Sequence, residues 1–232
     1  MNLLTIVIPC FNEKESLPFL IEKLNQVSEK INFIIVDNGS TDGSKKYLES
    51  TKITKKNISL YFIDKNKGYG AGIFKALNLI EDSKYIGWIH GDLQFDFDKL
   101  ENTVEFFEKA NNKDLIFYKG VRIGRNKIDR FFSYFMGIFG SLIMNYNFYE
   151  INAQPTIFNK VLIENAKNVP NDFRFDTYIY WLALKNNYKI SREKFEFPQR
   201  KFGNSNWDYG IGSKLKFSYI LFKYFFKLRK TI

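Results

Sequence analysis

Cysteine and histidine are nearly missing from this sequence, which holds one of each, Cys10 and His90. A lone cysteine excludes an internal disulfide and suits a reducing compartment. It closes an apolar run, where a buried structural thiol is expected rather than a nucleophile. Long hydrophobic runs are missing too. No stretch of 18 uninterrupted apolar residues occurs, so no membrane-spanning helix is expected. The opening, MNLLTIVIPCFNEKES, has no basic n-region and only a short apolar stretch, so no signal peptide is expected. The phosphate-binding pattern GxxxxGK(S/T) is absent. So are repeats, low-complexity linkers and a clear domain boundary.

What is present is material for a core. With 45% hydrophobic residues, a chain of 232 can form one domain, or a domain with an appended segment, without staples. The aromatic share is high, at 18%, and aromatics serve both cores and interfaces. The net charge of +10 suits nucleic acid, anionic lipid or phosphorylated small molecules, or is only lysine-rich composition. Nucleic acid is set aside, because outside the tail the basic residues form no recognisable binding motif with aromatics.

The first half alternates between strand-like and helix-like stretches. LLTIVIP (3–9), INFIIVDNGS (31–40), ISLYFIDK (58–65) and KYIGWI (84–89) read as strands. Between them lie helical stretches: from Ser16, a candidate cap, to about Ser28; Asp42 to Glu49; and Tyr69 to Ile80. This rhythm predicts an α/β fold with a mostly parallel central sheet and helices on both faces. Ligands of such sheets bind outside the carboxyl ends of the strands. Here those ends read PCFNE, VDNGSTDG, NKGYGAG and HGDLQ, and all four are polar or glycine-rich. A purely structural fold needs only turn residues there, so the four together point to an enzyme.

Each end has its own chemistry. Asp37 closes a strand, where a carboxylate can accept hydrogen bonds from a base N–H or a ribose hydroxyl. Asp42 can cap the next helix. Gly68, Gly70 and Gly72 only half match a dinucleotide fingerprint, and a tight turn that lets a helix pack close to the sheet is the plainer reading. In HGDLQFD, potential ligands recur at alternate positions: His90, Asp92, Gln94 and Asp96. That is either a metal site or a polar turn.

The ordered set TIVIPCFNE, VDNGSTDGS, NKGYGAG and HGDLQFD resembles family 2 glycosyltransferases of the GT-A fold, especially enzymes similar to dolichyl-phosphate mannose synthase. KGVR (119–122), INAQPTIFNKVLI (151–163), FRFDTYIYWLALKNNYKI (173–190) and FPQRKFGNSNW (197–207) continue the resemblance, which covers roughly residues 3–207. It implies a nucleotide-diphosphate sugar as donor and Mg²⁺ or Mn²⁺ as cofactor. Pro9, Phe11, Glu13, Asp37, Lys67 and Gly91 would border the nucleotide and sugar, Gly91 by letting backbone approach the sugar. Asp92 and Gln94 would hold the cation, which neutralises a leaving diphosphate. His90 stands where the family has an aspartate; it could ligate metal, contact the diphosphate or fill a turn. Asn38 replaces a second family acid beside Asp37. Asp176 would be the general base for a hydroxyl acceptor, or orient the site if the acceptor is a phosphate. Arg200 would grip donor or acceptor phosphate. Arg122, Arg130 and Ser205 would meet an acceptor phosphate, and Gln154 and Pro155 match an acceptor-side loop.

Two segments differ in texture. Residues 131–149, FFSYFMGIFGSLIMNYNFY, suit a helix on a membrane surface or a buried one. In the tail, Lys216, Lys223, Lys227 and Lys230 share one helical stripe beside a wide aromatic face, as in an interfacial helix on anionic lipid; a core-docked helix is the rival. The expected organisation is therefore a catalytic domain over 1–212 and a basic amphipathic helix over 213–232. The expected function is inverting sugar transfer to a lipid-linked acceptor, in cell-envelope polysaccharide synthesis. The expected place is the cytoplasm, peripheral on the inner face of the membrane. The alternative is a catalytically weak nucleotide-binding relative acting as an interaction subunit.

Overall fold

The structure, a computed structural model, describes residues 2–110, 115–164, 166–200, 202 and 210–231. Strand β1 (Asn2–Cys10), helix α1 (Leu17–Gln26), β2 (Ile31–Asn38), α2 (Ser44–Ser50), β3 (Ile58–Ile63), α3 (Tyr69–Asn78) and β4 (Ser83–Trp88) follow the predicted rhythm closely. The second half adds α4 (Leu100–Lys109), β5 (Ile116–Ile123), α5 (Lys127–Met144), β6 (Thr156–Asn159), α6 (Val161–Glu164), α7 (Arg174–Lys185), β7 (Lys189–Glu196) and α8 (Ile211–Arg229).

The seven strands form one sheet in the order β3-β2-β1-β4-β6-β5-β7. Strand β6 is antiparallel to both its neighbours, and every other pairing is parallel. Six strands therefore end on the same edge, and β6 begins there. This places the segment before β6, with Gln154, beside the ends of β1, β4 and β5.

Alternation along the strands builds two cores. Leu4, Ile6, Ile8 and Cys10 of β1 pack on one face with Leu17, Leu20 and Leu24 of α1. Val7, Val36, Trp88 and Phe117 line the other, with α3, α7 and the end of α8. Cys10 is buried and unpaired, as a structural thiol should be.

Helix α8 joins that second core. Leu221, Tyr224, Phe225 and Leu228 are buried, and Phe225 sits against Gly140 of α5, where an added Cβ would meet its ring at 2.5 Å. The two helices run parallel: Lys214 pairs with Asp129 near their starts at 2.8 Å, and Arg229 bonds the Ile143 carbonyl near their ends. Among the described residues no helix is long and apolar enough to cross a membrane.

Candidate active site

The carboxyl edge of the sheet is stitched before any ligand arrives. The loop after β1 and the loop after β2 exchange hydrogen bonds: Asn12 N–H to Ser40 Oγ (3.0 Å), Thr41 N–H to Asn12 Oδ1 (2.8 Å), Lys14 N–H to Asp42 Oδ2 (3.0 Å) and Glu13 N–H to Ser44 Oγ (3.1 Å). Asp42 also accepts from the Ser44 backbone and hydroxyl, but the cap position of α2 falls to Gly43, with no side-chain cap bond, so Asp42 is not the expected cap. Ser16 precedes α1 as expected, but its hydroxyl serves Glu13 instead of the helix N-terminus.

Asp37 lies near the end of β2, fully buried. One carboxylate oxygen accepts the Ser40 N–H at 3.3 Å, and the other has no partner among the described residues. A buried oxygen left open at a strand end is an acceptor waiting for a donor. Asn38 faces the other way. Its amide holds the Gly68 carbonyl at 3.1 Å, and a Cβ on Gly72 would strike it at 2.7 Å. The glycines of NKGYGAG thus let α3 pack close to the sheet. Gly91 is similar: the space of its missing Cβ is taken by the Cys10 sulfur at 2.7 Å. Pro9 and Phe11 are half-buried, and Lys67 is exposed. Lys67 lines a cavity of about 210 Å³ with Asn38, Ile63, Gly72 and Lys75.

The centre of the edge is an acid–base cluster. After β7 the chain returns over the ends of β1 and β4 and delivers Arg200. Its Nη2 lies 3.1 Å from Asp92 Oδ2 and 3.4 Å from Glu13 Oε1. Phe202 stacks on Phe19 of α1 and anchors this return. Asp92 Oδ1 also accepts the Gln94 N–H at 3.1 Å, and the Gln94 amide donates to the Pro198 carbonyl. Burial raises the Glu13 pKa, while Ser16 and Arg200 pull it down.

His90 lies beside this cluster, its Nδ1 4.0 Å from Asp92 Oδ2. Loss of surrounding solvent lowers its pKa, and the negative charges of Asp92 and Asp176 oppose that. Its Nε2 is 3.0 Å from the Tyr69 hydroxyl, which also receives the Trp88 indole N–H (3.1 Å) and the Gln154 amide (3.3 Å).

Asp176 stands in the first turn of α7, where the helix N-terminus favours an anion. It is buried, and burial raises its pKa; Lys119 is the main opposing charge. Lys119 is wholly buried in β5. It donates to the Ala153 carbonyl (2.8 Å) and Thr156 Oγ1 (2.9 Å), and burial lowers its pKa to about 7.

Arg122 reaches the edge from β5, but held: its Nε bonds Glu150 Oε2 at 2.8 Å, and Arg125 shares the same carboxylate at 3.7 Å. Glu150 adopts a φ of 47°, an uncommon conformation for a side-chain-bearing residue and one often kept at sites that need it. Arg122 lines a small cavity, of about 40 Å³, with His90, Gln94, Asn152, Gln154 and Phe197. Arg130 is exposed on α5, and its side chain joins no hydrogen bond or ion pair among the described residues. Ser205 lies outside the described residues.

Sequence reasoning thus named Glu13, His90, Asp92, Asp176 and Arg200, which the fold gathers at one edge. It missed Tyr69, Trp88, Lys119 and Glu150. Only the buried lysine in an otherwise apolar strand, IFYKG, left a readable signal.

A divalent ion fits this site in part. Asp92 and Gln94 offer the oxygen donors that hard cations prefer, but the described residues contain no group of three His, Cys, Asp or Glu side chains able to hold one alone. Asp92 would anchor the ion, and the donor diphosphate would have to complete its shell.

A mostly parallel sheet with an acidic cluster and an arginine at its carboxyl edge is an α/β fold that presents a ligand site at that edge. The chain belongs to glycosyl transferase family 2, whose sequence profile matches residues 5–174. It is 25% identical over 232 residues to the minor teichoic acid biosynthesis protein GgaA of Bacillus subtilis, covering 94% of this chain and 52% of that one. It is 30% identical over 115 residues to an undecaprenyl-phosphate 4-deoxy-4-formamido-L-arabinose transferase of Proteus mirabilis, covering 47% and 35%. The chain thus spans about half or less of these relatives. Among solved structures, TarS of S. aureus with UDP-GlcNAc superposes with a TM-score of 0.64 at 16% identity, over 96% of this chain and 66% of that one. Glucosyl-3-phosphoglycerate synthase of Mycobacterium tuberculosis, with Mn²⁺, UDP-glucose and phosphoglyceric acid, gives 0.68 at 10% identity, over 100% and 80%. These likenesses show the GT-A type of fold.

Proposed function

We propose that this chain transfers a sugar, with inversion, from a nucleotide-diphosphate donor to a lipid-linked acceptor such as a polyprenyl phosphate or a lipid-carried glycan. The observation that carries the reading is the Glu13–Arg200–Asp92 cluster at the carboxyl edge, with His90 beside it. The names of the teichoic acid and undecaprenyl-phosphate relatives support the acceptor class.

The roles follow from charge. Asp37 accepts from the base. Departure of a nucleoside diphosphate concentrates negative charge on its oxygens, and Arg200 can trade carboxylate contacts for phosphate ones through its planar fork. A bound Mg²⁺ or Mn²⁺, anchored by Asp92, supplies further positive charge against the leaving group. The acceptor oxygen attacks the anomeric carbon from the opposite face as the bond to the diphosphate breaks. A sugar hydroxyl gives its proton to Asp176, whose raised pKa suits a base. A phosphate acceptor needs no base, and Asp176 then orients it.

One surface supports the membrane setting. Ile128, Phe131, Phe135, Ile138 and Leu142 form an exposed stripe on α5, and Leu215, Tyr219 and Phe226 form another on α8. They join through the Phe139–Phe222 contact, at 5.3 Å between ring centroids. An apolar face of this extent on a chain of charge +10 suits the inner, anionic surface of a membrane. Helix α8 is at once core-docked and surface-forming.

Thermal-shift measurements with UDP, GDP, CDP and dTDP, each with Mn²⁺ or with EDTA, test the donor half. Saturation at a hundred times Kd should add about 2.7 kcal/mol, a shift of a few degrees. A shift with one diphosphate that EDTA abolishes is expected. No shift with any of them would overturn the donor half of the reading, and binding without sugar transfer would favour the weak-relative alternative.

A further inference from the structure

We propose that Tyr69 locks the single histidine in one tautomer, so that His90 offers an N–H at Nδ1 to an oxygen of the donor diphosphate, and not a lone pair to a cation. The identity of that anion rests on the transferase reading above. The tautomer does not.

A phenolic hydroxyl has two acceptor positions and one proton. The Trp88 indole nitrogen can only donate, and it lies 3.1 Å from the Tyr69 oxygen. The Gln154 amide nitrogen lies 3.3 Å from the same oxygen. With both acceptor positions receiving N–H groups, the hydroxyl proton must go outward. Two acceptors face that proton, His90 Nε2 at 3.0 Å and the buried Asp176 carboxylate; the close contact to the ring nitrogen assigns it to His90. The two rings meet edge to face, at 83°. An imidazole that accepts at Nε2 carries its proton at Nδ1. That nitrogen is 4.0 Å from Asp92 Oδ2, too far for a hydrogen bond, and the ring lines the small cavity with Gln94 and Arg122.

The arrangement explains how histidine can occupy this position. An aspartate here would be a second anion next to Asp92. A histidine locked as an Nδ1–H donor helps to neutralise the diphosphate from the protein side, beside Arg200. The rival is Asp176, a carboxylate that also acts on the Tyr69 hydroxyl. If the hydroxyl proton went there, His90 would carry Nε2–H and expose a bare Nδ1, which is a metal ligand.

Because the chain has one histidine, nitrogen-15 histidine labelling of the full chain yields a single imidazole in long-range proton–nitrogen correlation spectra. The expected wild-type spectrum has a protonated Nδ1 and a bare Nε2. Tyr69→Phe should turn it into a mixture of tautomers. Mg²⁺ alone should leave Nδ1 in place, and the nucleoside diphosphate found by thermal shift should move it. A wild-type Nε2–H tautomer, Nδ1 ligation by Mg²⁺ alone, or an unchanged spectrum in folded Tyr69→Phe would overturn the inference. The wild-type spectrum decides even where Tyr69→Phe does not fold. If no nucleoside diphosphate binds, the transferase reading fails, and with it the diphosphate role of Nδ1, while the tautomer is still decided.

Discussion

Arg200 and Asp92 meet at 3.1 Å across 108 residues of chain. The contact closes the return after β7 onto the end of β4, and it puts a cation where the proposed donor diphosphate would be received. Both side chains are mostly buried, at 21% and 12% exposure, so solvent screens the pair less than a surface ion pair.

Asp92→Asn should therefore cut sugar transfer by about 10²–10³, the usual scale for losing a transition-state charge contact. Asparagine keeps an oxygen for the Gln94 N–H, so the melting temperature should stay within a few degrees. Wild-type turnover by the variant, measured with the donor identified by thermal shift, would remove Asp92 from the chemistry.

Asp176→Asn separates two acceptor classes. With a sugar-hydroxyl acceptor, loss of the base should lower kcat by about 10²–10⁴. With a polyprenyl phosphate the loss should be within about tenfold. Parallel assays on the two acceptors read the difference directly.

Lys119 makes stability depend on pH. Burial holds its pKa at about 7 in the folded chain, against 10.5 when unfolded. Between those values the unfolded chain binds the extra proton, so stability rises with pH across that window. The span corresponds to roughly 3–5 kcal/mol. Lys119→Met removes this slope but leaves the Ala153 carbonyl without its donor, at about 1–3 kcal/mol. The variant should melt higher than wild type near pH 6 and lower near pH 10. Parallel melting curves without a crossing would mean that Lys119 is not a buried cation.

The apolar face on α5 and α8 should bind anionic vesicles. Phe131→Glu with Leu142→Glu should release the protein from phosphatidylglycerol vesicles in flotation and leave its melting temperature nearly unchanged, because both side chains are exposed, at 63% and 74%. Truncation after Ser213 is the wrong test. It would strip four buried side chains, each contributing about 1.5–3 kcal/mol, and unfold the second core. Retained vesicle binding by the double variant would move the anchor elsewhere.

Much of this was legible in the chain itself. Short apolar runs ending in PCFNE, VDNGSTDG and HGDLQ, with helical stretches between them, specify parallel strands and a reactive edge, because apolar patterning and turn chemistry are local. The antiparallel β6 was not legible. TIFN is four residues long, and only its pairing with β4 and β5 makes it a strand. The rank of the arginines was hidden as well: Arg122, Arg130 and Arg200 look alike in sequence. In space Arg200 joins two acids, Arg122 is held by Glu150, and Arg130 faces solvent.

The sequence by itself determined the alternating architecture, the single thiol and histidine, and the acidic strand end, since each depends on residue type and short-range spacing. Only the tertiary structure decided which charges share a low-dielectric site and what each touches. Tyr69 beside His90, Lys119 behind Asp176 and Phe225 beneath Gly140 are contacts between distant segments, set by how the sheet and helices pack and not by any local pattern.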